Sequence, residues 1–153
     1  MNIRRFEEKD RDLYLSMAGA FYASPAVLKP IPRAHMERTF DEMMRSDVYV
    51  DGFLMTSDEG EPMGYALISK TFSQEPGGLA VWVEELSVLP AFRGRGVGGD
   101  TLRWLEAHYP WARIRLEVEP ENERAVELYR RLGYGVLGYM QMYKDRACDV
   151  GRG

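Results

Sequence analysis

A glycine-rich stretch, "AFRGRGVGGD" at residues 91–100, constrains the fold of this chain more than any other feature. It follows "LAVWVEELSVL", an apolar run rich in strand-forming residues, and four of the six positions from 94 to 99 are glycine. Glycines weaken regular helix and strand, but they let a backbone approach a bulky group closely. The stretch therefore predicts a loop between a strand and a helix, with the first amides of the helix open to an anion.

Two nucleotide-binding motifs fit this loop. Gly94, Gly96 and Gly99 satisfy G-x-G-x-x-G, which is typical of dinucleotide sites, whereas Arg93, Gly96 and Gly98 satisfy R-x-x-G-x-G, which suits the pyrophosphate of acyl-coenzyme A. A dinucleotide site needs its first glycine directly after the first parallel strand, and it needs more chain than the 54 residues that follow Gly99. The acyl-coenzyme A interpretation is therefore favoured.

A structural alternative is a glycine turn that merely joins a strand to a helix. Arg93 and Arg95 argue against it, because cations beside a helix N-terminus oppose the helix dipole unless an anion is bound. The residues predicted to hold the pyrophosphate are Arg93, Gly94, Arg95, Gly96, Val97, Gly98 and Gly99.

Hydrophobic periodicity predicts an α/β fold. A strand at "NIRRF" precedes two helices, which the proline-containing segment "SPAVLKPIP" separates, and three strands with period-two alternation follow as antiparallel neighbours. After the glycine loop come a helix, the strand "RIRLEV" and a helix that Gly133 should end. The segment "YGVLGYMQMYK" is predicted to add one or two further strands.

Length and composition limit the protein class. The 153 residues fit one domain, predicted over 1–147, with a short tail at 148–153. The lone Cys148 and the absence of an apolar leader or long apolar run predict a cytoplasmic protein. A net charge of −4 argues against nucleic acid as a partner and permits a cationic substrate. His35 and His108 have no Cys, His or Asp at metal-binding spacing, so we expect no metal. No apolar run approaches the length of a membrane span, so we expect no membrane partner either.

Two motifs resemble the GNAT superfamily of N-acetyltransferases. "LSVLPAFRGRGVG" is similar to that family's strand end and glycine loop, and "NERAVELYRRLGY" is similar to its N-x-x-A-x-x-x-Y helix. The resemblance implies a mixed central sheet, antiparallel in its first half, with a parallel pair flanking the coenzyme A site and helices on both faces. It also implies acetyl-CoA as co-substrate. Asp100 departs from the family pattern by placing a carboxylate near the phosphates.

The resemblance further implies how the co-substrate is held. In the family a bulge splays the strand before the glycine loop from its parallel neighbour, and the pantetheine arm bonds backbone groups there, near Leu86 and Val88. Asn122 would contact the pantetheine or the pyrophosphate, although its position before a helix also suits an N-cap.

Amine acetylation needs a base. An alkylamine with a pKa near 10.4 is protonated at neutral pH, and freeing its lone pair costs roughly 4 kcal/mol. Glu84 and Glu85 lie on the strand that should deliver the thioester, and the resemblance to polyamine-acetylating members implies Glu84 as the base and Glu85 as a contact to the substrate amine. Consecutive strand residues point to opposite faces, so only one of the two is expected to face the substrate unless the bulge rotates both. The alternative is that both are ordinary solvent-facing charges on a half-buried strand.

Coenzyme A leaves the reaction as a thiolate, which needs a proton donor. Tyr129 is the tyrosine of the second motif, which the resemblance implies as that acid, but its spacing in an apolar helix stripe fits a core aromatic equally well. Tyr22 and Ser24 are expected to form part of the acceptor pocket wall, as the corresponding region does in the family.

The expected activity is therefore acetyl transfer to a primary amine of a small molecule or peptide, directly and without a covalent enzyme intermediate. The alternative is a GNAT-fold module that binds acyl-CoA without turnover. The sequence allows a homodimer.

Overall fold

A five-stranded sheet with helices on both faces forms the body of the protein. The computed structural model describes residues 1–146. The strands are β1 (Asn2–Arg5), β2 (Val50–Thr56), β3 (Pro62–Ser73), β4 (Gly78–Val88) and β5 (Arg113–Leu116). The helices are α1 (Arg11–Tyr22), α2 (Arg33–Arg45), α3 (Val97–His108) and α4 (Glu123–Arg131).

The sheet is mixed, as the sequence predicted. Its strands lie in chain order; β1 to β4 pair antiparallel, and β5 pairs parallel with β4. Parallel neighbours require a crossover, and α3 supplies it. The glycine loop at the start of α3 therefore lies at the carboxyl end of β4.

Each face of the sheet has its own hydrophobic core. On one face α1 and α2 pack around Tyr14, Phe40 and Tyr65, which are 0–1% exposed. On the other face α3 packs over Ile68 and Val81, with side chains of α4 at its margin. Burying one large apolar side chain contributes about 1.5–3 kcal/mol, so both cores fix the helices against the sheet.

Local sequence signals set the helix ends that matter for the site. α1 ends at Tyr22, just before the proline-containing segment. α4 begins after Asn122, whose side chain accepts a hydrogen bond from the Ala125 amide, and it stops before Gly133, which has a φ of +90°. Both ends follow the predicted capping chemistry.

A β-bulge interrupts the pairing of β3 with β4. Leu67 lies opposite Glu85 and Ile68 lies opposite Val83, so Glu84 is an extra residue without a partner on β3. A bulge rotates the side chains that follow it relative to simple alternation. The bulge that the family resemblance implied is thus present, and it falls at the acidic pair.

The prediction of one or two strands at "YGVLGYMQMYK" is wrong. Residues 134–146 lie in no strand, and six large apolar side chains of this segment are 42–90% exposed. Apolar residues form a strand only where an edge and a packing surface are available, and Gly135 and Gly138 weaken this one further. The predicted tail at 148–153, with Cys148, lies outside the described residues.

Candidate active site

A gap opens between β4 and β5 at the bulge. The two strands pair from Ala80 opposite Arg113 to Val83 opposite Leu116, and β5 ends there while β4 continues to Val88. The β5-facing edge of β4 beyond Val83, which includes Leu86 and Val88, therefore has no strand partner within residues 1–146. Backbone groups on such an edge can bond an extended ligand.

The glycine loop closes one end of this gap. Gly94 and Gly96 have φ values of +76° and +83°, which favour glycine over other residues. Gly96 is also the N-cap residue of α3, and it provides no side-chain hydrogen bond to the helix. The first amides of α3 are therefore open, and together with the helix dipole they suit an anion.

Arginines surround the loop. The Arg93 Nε donates to the carbonyl of Val88 (2.9 Å), and the Arg95 guanidinium lies 5.5 Å from the centre of the Phe92 ring. A Cβ placed on Gly94 would lie 3.4 Å from a nitrogen of Arg124, so that guanidinium is beside the loop. We did not single out Arg124 from the sequence; its position in the first turn of α4, where cations are unfavourable without an anion, was an available signal.

Asp100 does not stand as an isolated negative charge beside the loop. Its carboxylate accepts a hydrogen bond from Arg103 at 2.6 Å, one turn along α3. Arg103, which was not singled out from the sequence, therefore offsets the negative charge that Asp100 places near the loop.

The second half of the loop packs against α4. Cβ atoms placed on Gly98 and Gly99 would lie 3.8 and 3.5 Å from the side chain of Leu128. Tyr129, the next residue of α4, packs against the same core cluster as Leu86. Gly98, Leu86 and Val88 are also neighbours, since that Cβ would lie within 4.0 Å of both side chains.

The acidic pair lies on the α1 face of the sheet. The Ser69 hydroxyl donates to Glu84, and the Tyr65 hydroxyl donates to Glu85. Ser69 and Tyr65 are four residues apart on β3, so their side chains share a face, and the two glutamates must share it as well. This is the exception that the sequence left open, because the bulge rotates Glu85 onto the face of Glu84.

The two carboxyl groups differ in environment. Glu84 is exposed, whereas Glu85 is 6% exposed and accepts hydrogen bonds from Tyr22 (2.6 Å) and Tyr65 (2.5 Å). Burial raises the pKa of Glu85 above its usual value; the two phenols act in the opposite direction, and Glu84 raises it further. Tyr65 and the buried Tyr14 beside it were not among the residues singled out from the sequence.

Tyr129 lies on the opposite face from the acidic pair. It is half-buried against the α3 core, with its ring 5.9 Å from that of Tyr134. Burial raises the pKa of Tyr129, so the phenol is protonated at neutral pH. Among the hydrogen bonds of residues 1–146 its hydroxyl has none, which leaves it free for a ligand.

Two further predicted residues have local roles. The Asn122 side chain caps α4, and the Ser24 hydroxyl donates to the carbonyl of Phe21 (2.6 Å), where it ends α1. Tyr22, by contrast, contacts Glu85 directly. Within the described part of the chain, no three histidine, cysteine or acidic side chains converge as a metal site would require, and His108 stacks on Trp104.

The chain matches a known family of acetyltransferases. The model of the acetyltransferase (GNAT) family matches residues 15–134, so the chain belongs to this family. It is 34% identical over 84 residues to N-alpha-acetyltransferase RimI of Mycobacterium tuberculosis, a match that covers 55% of this chain and 52% of that protein. An uncharacterized N-acetyltransferase of Methanocaldococcus jannaschii, MJ1207, is 32% identical over 117 residues, 69% of this chain and 49% of the relative. The chain thus spans about half the length of these relatives.

Solved structures share the fold. The aminoglycoside acetyltransferase AAC(6')-Iy, in complex with the bisubstrate analogue CoA-S-monomethyl-acetylneamine, superposes with a TM-score of 0.74 at 18% identity, over 95% of this chain and 97% of that one. A possible acetyltransferase from Clostridium difficile 630 gives 0.78 at 16% identity, over 95% and 96%. At these identities the likeness concerns the fold alone. None of the helices in residues 1–146 combines the length and apolar character needed to cross a membrane.

Proposed function

We propose that the protein transfers the acetyl group of acetyl-CoA to a primary amine of a small molecule or peptide, directly and in a ternary complex. One observation carries the proposal: the bulge at Glu84 coincides with the point where β4 leaves β5. The two carboxyl groups therefore lie beside the edge of β4 that has no strand partner. At the end of that edge lies the glycine loop, followed by the N-terminus of α3, which no side chain caps.

The co-substrate would lie along the open edge of β4. The pyrophosphate would bind the first amides of α3, with Arg93, Arg95 and Arg124 as nearby cations. The pantetheine arm would bond the backbone near Leu86 and Val88, as an added strand does.

The acceptor would approach from the α1 face, where Glu84 accepts its proton. The neutral nitrogen then attacks the thioester carbonyl and the new C–N bond forms. On collapse of the tetrahedral intermediate the C–S bond breaks, and the nitrogen loses its second proton to solvent. Tyr129, protonated at neutral pH, would donate the proton that the coenzyme A thiolate takes up, and its phenolate would then recover a proton from solvent. The free hydroxyl of Tyr129 and its place in the same hydrophobic cluster as Leu86 support this role.

The acidic face favours a cationic acceptor. Glu84 and Glu85 place two carboxyl groups on one face, and among the described residues neither forms a salt bridge with a lysine or arginine. RimI is named as an N-alpha-acetyltransferase, which supports a peptide amine. AAC(6')-Iy is named as an aminoglycoside N-acetyltransferase, so the shared fold is compatible with a small-molecule amine as well.

The test is thiol release from acetyl-CoA in the presence of a panel of alkylamines, an aminoglycoside and peptides with free N-termini. We expect release that depends on both substrates, with product mass increased by one acetyl group. Calorimetric binding of acetyl-CoA without release for any acceptor would contradict the proposal and favour the binding module.

A further inference from the structure

The Tyr65 hydroxyl, which contacts Glu85, belongs to the most deeply buried side chain that touches the acidic pair. Tyr65 is 0% exposed and lies in the middle of β3, with aromatic neighbours Phe6, Tyr14 and Phe21 at ring-centre distances of 5.7–6.4 Å. Its hydroxyl donates to Oε2 of Glu85. The ring is held on several sides, so this hydroxyl has little freedom to move away from the carboxylate.

The second contact of Glu85 is different. Tyr22 donates to Oε1, but it is half-buried and occupies the last position of α1, where the chain turns into the proline-containing segment. One phenol is therefore fixed in the core, and the other lies at the edge of the acceptor face. The two oxygens of Glu85 thus accept from phenols of different burial, Oε2 from a fully buried one and Oε1 from a half-buried one.

A buried carboxylate with only neutral partners is incompletely compensated. Hydrogen bonds from phenols stabilise the charge in part, but a cation at hydrogen-bond distance stabilises it more. Among the salt bridges of residues 1–146 none involves Glu85. An ammonium group of the acceptor is the cation that the proposed function would bring to this face.

We propose that Tyr65 is a positioning residue for acceptor recognition: its phenol fixes one oxygen of Glu85, so that the other can exchange the Tyr22 hydroxyl for an ammonium of the acceptor. The inference rests on the proposed function. It assigns no bond-making step to Tyr65, which acts only through Glu85.

Four titratable groups face Glu85, and three of them shift its pKa. The four are Tyr14 and Tyr22 from α1, Tyr65 from β3, and Glu84 from its own strand. Tyr22 and Tyr65 favour the ionised carboxyl through their hydrogen bonds, whereas burial and Glu84 disfavour it. Removing the Tyr65 hydroxyl should therefore raise the pKa of Glu85 further and leave less of the carboxylate at neutral pH.

The experiment compares Tyr65→Phe with wild type in steady-state kinetics. We expect the KM for the amine to rise about 10-fold at neutral pH, the size expected for a hydrogen bond to a charged group. The KM for acetyl-CoA and the kcat at saturating amine should stay within about twofold. The rise in the amine KM should be largest at acid pH and shrink as the pH increases, since Glu85 then ionises.

Tyr14→Phe is the matched control. It deletes a buried phenol from the same cluster, and the Tyr14 hydroxyl makes no hydrogen bond to Glu85. It should leave the amine KM and its pH dependence unchanged. A Tyr65→Phe protein with a lowered melting temperature but a wild-type pH profile for the amine KM would overturn the proposal, because Tyr65 would then be core packing alone.

Two further measurements separate the possible failures. If Tyr65→Phe does not fold, Glu85→Gln tests the same recognition, and an unchanged amine KM in that variant would overturn the proposal. If wild type releases no thiol with any amine, the proposed function fails. NMR titration of the isotope-labelled Glu85 carboxyl then tests by itself whether Tyr65 controls the ionisation of Glu85. A higher titration midpoint in Tyr65→Phe than in Tyr14→Phe supports the Tyr65 role, and equal midpoints overturn it.

Discussion

Glu84 and Glu85 are consecutive on β4, yet both side chains lie on the face that packs against α1, because Glu84 is the extra residue of a bulge. In a regular strand they would point to opposite faces. The bulge therefore gives one face an exposed carboxylate and a buried one. An exposed group can exchange protons with solvent, whereas a buried one suits the binding of a fixed charge.

Glu84→Gln tests the base. The substitution keeps the volume and removes proton acceptance, so the rate at neutral pH should fall about 100-fold or more. It should recover partly at high pH, where more of the amine is already neutral. The pH-rate profile with one good amine measures both effects.

Glu59→Gln is the control for this change, because Glu59 is an exposed glutamate in the turn between β2 and β3. It should have the wild-type profile. A Glu84→Gln enzyme as fast as wild type at neutral pH would show that water or another group accepts the proton.

Gly96→Val tests the pyrophosphate site. Gly96 has a φ of +83°, and a Cβ there would lie 3.8 Å from the Asp100 carboxylate in the first turn of α3, where the pyrophosphate is proposed to bind. We expect the affinity for acetyl-CoA to fall at least about 10-fold, because the anion and the side chain compete for that space. Calorimetric titration gives the affinity, and a thermal melt gives the stability.

Gly60→Val is a matched control for backbone strain. Gly60 has a φ of +89°, nothing lies within 4 Å of a Cβ placed there, and it is in the turn between β2 and β3. Both variants should lose stability, by about 1–2 kcal/mol each. If both bind acetyl-CoA as tightly as wild type, the loop is not the pyrophosphate site.

The sequence predicted the elements that depend on local patterns. Alternation predicted β2 to β4, and the glycine loop, the Asn122 cap and Gly133 predicted helix ends. These signals involve residues close in the chain, so one sequence carries them.

The sequence did not predict features that depend on partners far along the chain. The shared face of the acidic pair follows from the register of β4 against β3, and the role of Tyr65 follows from its distance to Glu85, 20 residues away. In the sequence Tyr65 is only one aromatic in an alternating strand. The prediction of a strand after Gly133 was wrong for the same reason, since the apolar pattern of this segment does not show whether a sheet edge is available to pair with it.

Gly64→Ala tests the close packing of β3 on the strand end next to the gap. Gly64 has a φ of +154°, and a Cβ there would collide with the carbonyl oxygen of Ser87. The strands would have to separate, so the free energy of unfolding should fall by about 1–3 kcal/mol. Denaturant melts measure it. Gly135→Ala, where a Cβ meets nothing within 4 Å, should change it little.

Glu85→Gln should separate stability from function. Because the folded protein raises the pKa of Glu85, it holds this proton more tightly than the unfolded chain does. The contribution of Glu85 to the free energy of unfolding therefore falls as the pH rises from its usual pKa through the raised one, and stays low above it. The uncharged amide lacks this penalty.

We therefore expect Glu85→Gln to be at least as stable as wild type at neutral pH, with the advantage lost at acid pH, while the amine KM rises. Melting temperatures across this pH range provide the measurement. A variant that is less stable than wild type at neutral pH would mean that the phenol hydrogen bonds outweigh the burial of the charge.

Tyr129→Phe tests the acid. The substitution keeps the ring that packs beside Tyr134 and deletes only the hydroxyl, which has no hydrogen bond among residues 1–146. The fold should survive, and loss of a positioned acid should slow the reaction about 100-fold. High pH should not restore the rate, since hydroxide does not replace a proton donor, and this distinguishes Tyr129→Phe from Glu84→Gln. Tyr134→Phe, which removes the hydroxyl of the neighbouring ring, is the control and should turn over normally. If Tyr129→Phe has the wild-type rate at every pH, Tyr129 is a core aromatic, and the proton for the thiolate comes from water or from the acceptor amine.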